Sequence, residues 1–279
     1  MSTVQGLNKC MKNFFTHIIL IFFTIILLAP IGWAISSSFK PIGEIFKFPM
    51  NWIPENPTLN NYIDGWRAAN FSRYFLNSII VTLISTISVL LFCSMAGYSI
   101  SKFNYPGKRT FFAFVIATMM IPIQVRVVPL YLIIQRFGWI NTYAGLIAPV
   151  MVTSIGIFTM VQFISVIPKD LIASGRIDGA GEITIFFKII IPVSKSGLAG
   201  LAIINYMAVW NDYFWPLVVV SRDRMRTIPL GLDYFLGEYF TNYGQFFALS
   251  MIVILPMVIV FLIFQRQFID SAMLSGMKS

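Results

Sequence analysis

The sequence predicts an all-α polytopic membrane protein with six transmembrane helices, and three observations carry that reading. First, 57% of the 279 residues are hydrophobic and only 11% are charged, where a soluble domain carries about a quarter charged residues. Second, mean hydropathy is +0.79, more apolar surface than a water-soluble core absorbs, so lipid must cover part of it. Third, the apolar residues gather into runs of roughly 20, the length that crosses a bilayer as helix. No composition shift marks a boundary, so residues 1–279 read as a single membrane domain.

The runs cover residues 14–35, 75–100, 110–134, 143–166, 197–220 and 246–264. The first is too long and too sparsely flanked by basic residues for a cleaved signal, so it counts as a span. Pro30, Pro122, Pro129, Pro149, Pro216 and Pro256 fall inside these runs. A bilayer tolerates them where neighbouring helices re-satisfy the freed carbonyls. They read as simple kinks, or as bends in helices that line a path.

Two connections are long. Residues 36–74 hold Pro41, Pro49, Pro54 and Pro57 with Trp52 and Trp66, and read as an ordered excursion outside the membrane with interfacial tryptophans. Residues 167–196 are the most polar stretch. Within them 171–176 and 182–189 suit two short helices, with Gly179 and Gly181 permitting the turn between. Such a pair lying flat on a membrane face makes a knob that a partner's groove can take. A solvated surface loop is the other reading.

The net charge of +9 does not point to nucleic acid, because the basic residues are scattered between apolar runs rather than striped with aromatics. At headgroup level they contact anionic lipid. An even span count puts both termini on one side, together with Lys9, Lys12, Lys102, Lys108, Arg109, Lys169, Arg176, Lys188, Lys195, Arg266 and Lys278. The other side holds Lys40, Lys47, Arg67, Arg73, Arg136, Arg222, Arg224 and Arg226. That bias favours cytoplasmic termini. Cys10 and Cys93 suggest no disulfide framework. His17, the single histidine, lies where it snorkels to the interface or serves as a ligand or proton relay. A His/Cys metal site and a His-based triad are excluded, and no catalytic set is present.

The polar connection carries a resemblance. Residues 168–180, followed by Phe186-Phe187-Lys188-Ile189-Ile190-Ile191-Pro192-Val193-Ser194-Lys195, resemble the coupling-loop signature of bacterial ABC importer permeases, and more narrowly the carbohydrate-type, maltose-like branch. Pro49, Trp52, Pro54, Thr58, Asn61 and Tyr62 agree with that branch, as do Asn77-Ser78, Ala96-Gly97-Tyr98, Ile121-Pro122 and Pro129-Leu130-Tyr131. So do residues 210–217, 227–232 and Gln265-Arg266. The resemblance implies a type I importer permease fold in the bacterial plasma membrane, with a core at 74–267 and a cytoplasmic coupling loop at 167–196. Its implied partners are a second related permease subunit, two ATPase subunits and an extracytoplasmic solute-binding protein. ATP and Mg would be bound by those ATPase subunits, with no cofactor in this chain. The sequence agrees independently: Gly107-Lys108 is followed by arginine and lacks the glycine spacing of a phosphate-binding loop.

The chain departs from the pattern where the family usually has Glu-Ala-Ala and this sequence has Ala173-Ser174-Gly175. The acidic residue thought to pair with an arginine of the ATPase is therefore missing. Docking would lean on Asp170, Arg176, Asp178 or Glu182, with Gly179 shaping the turn. Ile191-Pro192 replaces Leu-Pro, and Ser196 stands where proline is usual.

For the solute path, Trp210, Asn211 and Asp212 combine an aromatic face, an amide and a carboxylate. Asn211 and Asp212 fall midway along the fifth run, where a charge costs roughly 2.5–3.5 kcal/mol. They line the path or pair with a neighbouring helix. Arg126, in the outer half of the third run, snorkels outward or contacts solute. A proton-coupled secondary transporter is the alternative, and would have to work with Asp212 as its one clear intramembrane carboxylate.

Overall fold

The computed structural model describes residues 2–237 and 241–276, with side chains described for 13–237 and 241–265. The side chains of Lys9, Cys10, Lys12, Arg266 and Lys278, used in the charge and cysteine arguments, lie outside the described residues.

The described residues are mostly helical. The chain opens with α1 (Ser2–Ser38), the short α2 (Ile42–Ile45), α3 (Asn60–Ala68) and α4 (Phe71–Lys102). Next come α5 (Lys108–Met119), α6 (Ile123–Arg136), α7 (Tyr143–Ile147) and α8 (Ser154–Ser165). The polar connection holds α9 (Lys169–Ile177) and α10 (Glu182–Ile185), a π-helical turn (Phe186–Ile190) and α11 (Ile191–Val193). Then follow α12 (Lys195–Trp210), α13 (Phe214–Val219), α14 (Ile228–Leu232) and α15 (Tyr243–Gly276).

Among the described residues three unbroken helical stretches are long and apolar enough to cross a membrane: Asn13–Ser38, Phe71–Lys102 and Tyr243–Gln265. Three further spans are bent pairs, so that six result when each pair counts once. The bends are 106° between α5 and α6, 43° between Tyr143–Val150 and α8, and 79° between Glu182–Val193 and α12. The third run, expected as one helix, breaks because Pro122 takes an extended ψ of 146° and restarts the chain as the N-cap of α6; proline also disfavours helix in the residue before it.

The fifth run differs from expectation as well. Helix α12 stops at Trp210, so Asn211 and Asp212 sit at a break rather than midway along a helix. At the break Asp212 Oδ1, just ahead of the N-cap Tyr213, accepts the Trp215 amide at 3.2 Å, one of the leading amides of α13. Pro216 lies in the first turn of α13, where its missing amide has no intrahelical partner to lose.

Contacts divide the chain into two compact units, although the composition, apolar throughout, shows no boundary. One unit is Asn70–Gly231 with Leu255–Ser279. Its centre is α4, packed on α8 and α12. Gly97 allows the crossing with α8: a Cβ there would meet the Met160 Cβ at 2.8 Å. Small residues at crossings let membrane helices approach closely. Polar side chains help, as Asn205 donates to Thr86 Oγ1 at 3.2 Å between α12 and α4. A second core gathers Val81, Leu146, Trp215 and Val219, fixed by Trp215 Nε1 donating to the Gly145 carbonyl at 3.0 Å.

The other unit is Met1–Ala69 with Leu232–Ile254. Its polar excursion is ordered by hydrogen bonds. Asn61 donates to the carbonyls of Ser38 (2.9 Å) and Lys40 (2.8 Å). The buried Glu44 carboxylate accepts the Glu55 amide at 2.6 Å. Lys40 is fully buried, with its ammonium 4.1 Å over the Trp33 ring and donating to the Asn51 carbonyl.

Candidate functional site

The polar connection folds as the predicted pair of short helices, with the second continuing further, through the π-helical turn to Val193. Helix α9 ends in a left-handed glycine cap. Gly179 has φ +81°, its amide bonds the Arg176 carbonyl at 3.0 Å, and the Ala180 amide reaches back to the Gly175 carbonyl at 3.0 Å. That pair of bonds is a Schellman motif, which needs a residue free to adopt positive φ. Gly175 lies against the second helix, where a Cβ would meet Ile189 Cδ1 at 2.9 Å. The position departing from the family's alanine is thus a point of close helix approach.

Charges brace the same turn. Arg176 Nε donates to Glu182 Oε1 at 2.7 Å, and the Tyr98 hydroxyl donates to Glu182 Oε2 at 2.8 Å. The Glu182 carboxylate holds the Arg176 guanidinium above its ordinary, already high pKa, so the arginine stays charged throughout the working pH range. At the loop's entry, Lys102 donates to the carbonyls of Ser165 (3.1 Å) and Ile167 (2.5 Å), satisfying the end of α8.

Of the five candidate coupling residues, Arg176, Gly179 and Glu182 therefore shape the loop itself. Asp170 and Asp178 are exposed, and among the described residues neither forms an ion pair. Two isoleucines of the loop are also exposed, Ile177 at 86% and Ile183 at 76%. Sequence reading matched Tyr98 to the family branch and counted Lys102 among the basic residues, but tied neither to the loop, because they lie in or just past an apolar run far from it in sequence. Only the approach of α4 to the loop's entry and to its turn brings them in.

A separate cavity of about 490 Å³ is lined by residues that include Arg126, Asp212, Thr118, Ser154, Phe214 and Trp215. The Thr118 and Ser154 hydroxyls are 2.6 Å apart. Among the described residues no carboxylate comes within ion-pair distance of Arg126. The structure thus brings Arg126 and Asp212 to one cavity. Trp210 and Asn211 are elsewhere: Trp210 is buried, stacked on Tyr206 at 5.7 Å and edge-on to Phe75 at 6.0 Å. Asn211 turns back onto the Met207 carbonyl at 2.9 Å. Among the described residues no group of three or more His, Cys, Asp or Glu side chains is placed to hold a metal ion.

Known proteins resemble this chain along nearly its whole length. Residues 90–272 match the family described as binding-protein-dependent transport system inner membrane component. The diacetylchitobiose uptake system permease protein of Streptomyces coelicolor is 31% identical over 260 residues, spanning 92% of this chain and 86% of that one. The arabinooligosaccharides transport system permease protein of Halalkalibacterium halodurans is 35% identical over 260 residues, with coverage of 92% and 93%. The sn-glycerol-3-phosphate transport system permease protein of Pectobacterium atrosepticum is 30% identical over 270 residues, with coverage of 94% and 96%. In fold, the chain superposes on a chain of a bacterial ABC transporter involved in import of the acidic polysaccharide alginate. The TM-score is 0.83 at 21% identity, covering 92% of this chain and 96% of that one. These likenesses and the six-span helical architecture agree: the chain belongs to the binding-protein-dependent transport system inner membrane components, and is a permease subunit of an ATP-driven importer.

Proposed function

We propose that this subunit carries a sugar, oligosaccharide or related polyol across the bacterial plasma membrane, with both termini cytoplasmic. It pairs with a second related permease subunit. Two ATPase subunits dock on its cytoplasmic face and bind the ATP and Mg, and an extracytoplasmic protein delivers solute. The solute class follows the relatives, which are named for diacetylchitobiose, arabinooligosaccharides and sn-glycerol-3-phosphate transport. The Thr118 and Ser154 hydroxyls, with the Phe214 and Trp215 rings, suit a polyhydroxylated solute, which binds through hydrogen bonds and aromatic faces.

The observation that carries the coupling role is the braced loop at 167–196, with Ile177, Asp178 and Ile183 exposed at its tip. A knob stiffened from within transmits a push, because packed helices switch between discrete arrangements rather than deform smoothly. Closure of the ATPase pair would move the knob and swing α12 about the 79° bend, turning the path from one side to the other.

Reconstitution of the whole complex tests this reading. Asp178→Lys should leave the protein in the membrane and abolish both solute uptake and solute-stimulated ATP hydrolysis; normal uptake would refute the docking role. A solute panel run with Arg126→Gln reads the path. Equal uptake of a neutral sugar by variant and wild type marks the arginine as an interfacial anchor, and loss confined to an anionic solute puts it on the path.

A further inference from the structure

We propose that Tyr98 is a positioning residue of energy coupling: through Glu182 it locks the loop at 167–196 to α4, so that the loop and α4 move as one lever. The inference rests on that loop being the coupling loop, and it adds a second route of force besides the chain connection into α12.

Tyr98 is 5% exposed and lies one helical turn before the end of α4. Its ring is held edge-on to Phe103 at 5.1 Å and tilted against Phe186 at 6.0 Å. With the ring fixed, the hydroxyl has one place to point, and it donates to Glu182 Oε2 at 2.8 Å. The other oxygen of that carboxylate takes Arg176 Nε at 2.7 Å. One carboxylate thus joins α4, α9 and α10. The Arg176 guanidinium also lies 5.9 Å from the Phe103 ring centroid, closing the arrangement on itself.

Lys102 makes a second tether on the same helix end, through the Ser165 and Ile167 carbonyls. The loop is therefore held to α4 at its entry and again at its turn. Two tethers fix an orientation where one would leave a swivel.

Stability alone gives little reason for the brace. Arg176 and Glu182 are 49% and 44% exposed, and exposed ion pairs contribute close to nothing in most measurements. Glu182 and Arg176 are engaged with Tyr98 and each other, leaving Asp170 and Asp178, among the described residues, as the exposed, unbridged carboxylates of a loop with alanine at 173 and exposed Lys169, Lys188 and Lys195. The brace fits a part whose task is to keep an angle while something pushes on it.

The test uses the whole complex in proteoliposomes, comparing equal amounts of assembled protein for solute transported per ATP hydrolysed. Tyr98→Phe keeps the ring and removes the hydroxyl. ATP hydrolysis should persist while transport per ATP falls roughly three- to tenfold, the scale of one ordinary net hydrogen bond. Glu182→Gln approaches the same contact from the other side and should lower the ratio too. The double variant should be no worse than the poorer single one, as expected for residues acting through one contact.

Additive losses, or an unchanged ratio in Tyr98→Phe, overturn the proposal. So does a fall in assembled complex with the ratio intact, which would mark the contact as structural only. Gly179→Val, which forces a β-branched residue into positive φ, separates the two ideas. If it lowers the ratio and Tyr98→Phe does not, the loop couples and the brace is wrong. If neither lowers it, the loop is not the coupling element and both readings fall.

Discussion

Asn70 donates its side-chain amide to Asp223 Oδ2 at 2.6 Å, joining residues 153 positions apart. The Tyr74 hydroxyl donates to the other oxygen of the same carboxylate, and Arg226 Nε stands 3.7 Å away. The turn at Asp223–Met225 is thereby clamped to the first turn of α4. Asn77 extends the clamp by donating to the carbonyls of Arg224 (3.0 Å) and Arg226 (2.8 Å), and accepts from the Tyr143 hydroxyl at 2.7 Å.

That clamp is pH-sensitive on its acid side. The Tyr74 hydroxyl holds the Asp223 carboxyl below the usual carboxylate range, against the opposing pull of partial burial. The folded pKa lies below the unfolded value of about 3.9, so the unfolded chain takes up the proton first as pH falls. The group's stabilisation is complete above the unfolded value and is lost as pH drops through the folded one. The side chain is 50% exposed, so solvent screening keeps the effect below about 1 kcal/mol. Thermal unfolding in detergent should show Tm falling more steeply below about pH 4 in wild type than in Asp223→Asn.

Gly97→Leu should push α4 from α8. The new Cβ would lie 2.8 Å from the Met160 Cβ and 2.9 Å from its carbonyl carbon. Overpacking of this kind costs about 1–3 kcal/mol. Gly43→Ala, where the added Cβ meets nothing within 4 Å, is the matched control and should leave Tm unchanged.

Asp212 is expected to act first by holding a leading amide of α13. Asp212→Asn keeps the acceptor for the Trp215 amide and should unfold close to wild type, while Asp212→Ala should lose about 1 kcal/mol. Uptake by Asp212→Asn supplies the second reading. If Tm is intact and uptake is lost, the charge itself is used in transport.

Lys40→Met keeps the buried stem and removes the ammonium over Trp33. The Asn51 carbonyl then loses its donor, at a cost of about 1–3 kcal/mol where the site is closed to water. Limited proteolysis should cut within residues 41–59 faster in the variant than in wild type.

Hydropathy makes the spans legible because bilayer thickness dictates the length of an apolar run, whatever the chain does within it. It does not show the bends at Pro122 and after Trp210, since proline and asparagine are compatible with kinked and broken helices alike. Gly179 announces its turn through the demand for positive φ. Glu182 does not announce its partners: Arg176 is six positions away across that turn, and Tyr98 sits in a different helix. Trp210 read as a binding aromatic because tryptophan serves equally at interfaces and in cores, and packing by Tyr206 and Phe75 puts it in the core. Arg126 and Asp212 were legible one by one as costly residues at membrane depth, but their common cavity depends on where two broken spans turn.

The break between α5 and α6 restricts what can lie beside it in a membrane. With 12 and 14 residues the two halves reach about 18 and 21 Å, too short to cross a hydrocarbon layer of about 30 Å singly. Pro122 gives α6 no side-chain cap; the Val125 amide turns back to the Pro122 carbonyl at 3.1 Å, and the amides ahead of it have no acceptor within the helix. Alkyl chains offer none, and an unmet backbone group there costs several kcal/mol. Acyl chains suit the exposed apolar surface of Asn13–Ser38, whereas a span broken at Pro122 calls for polypeptide or water beside its turn.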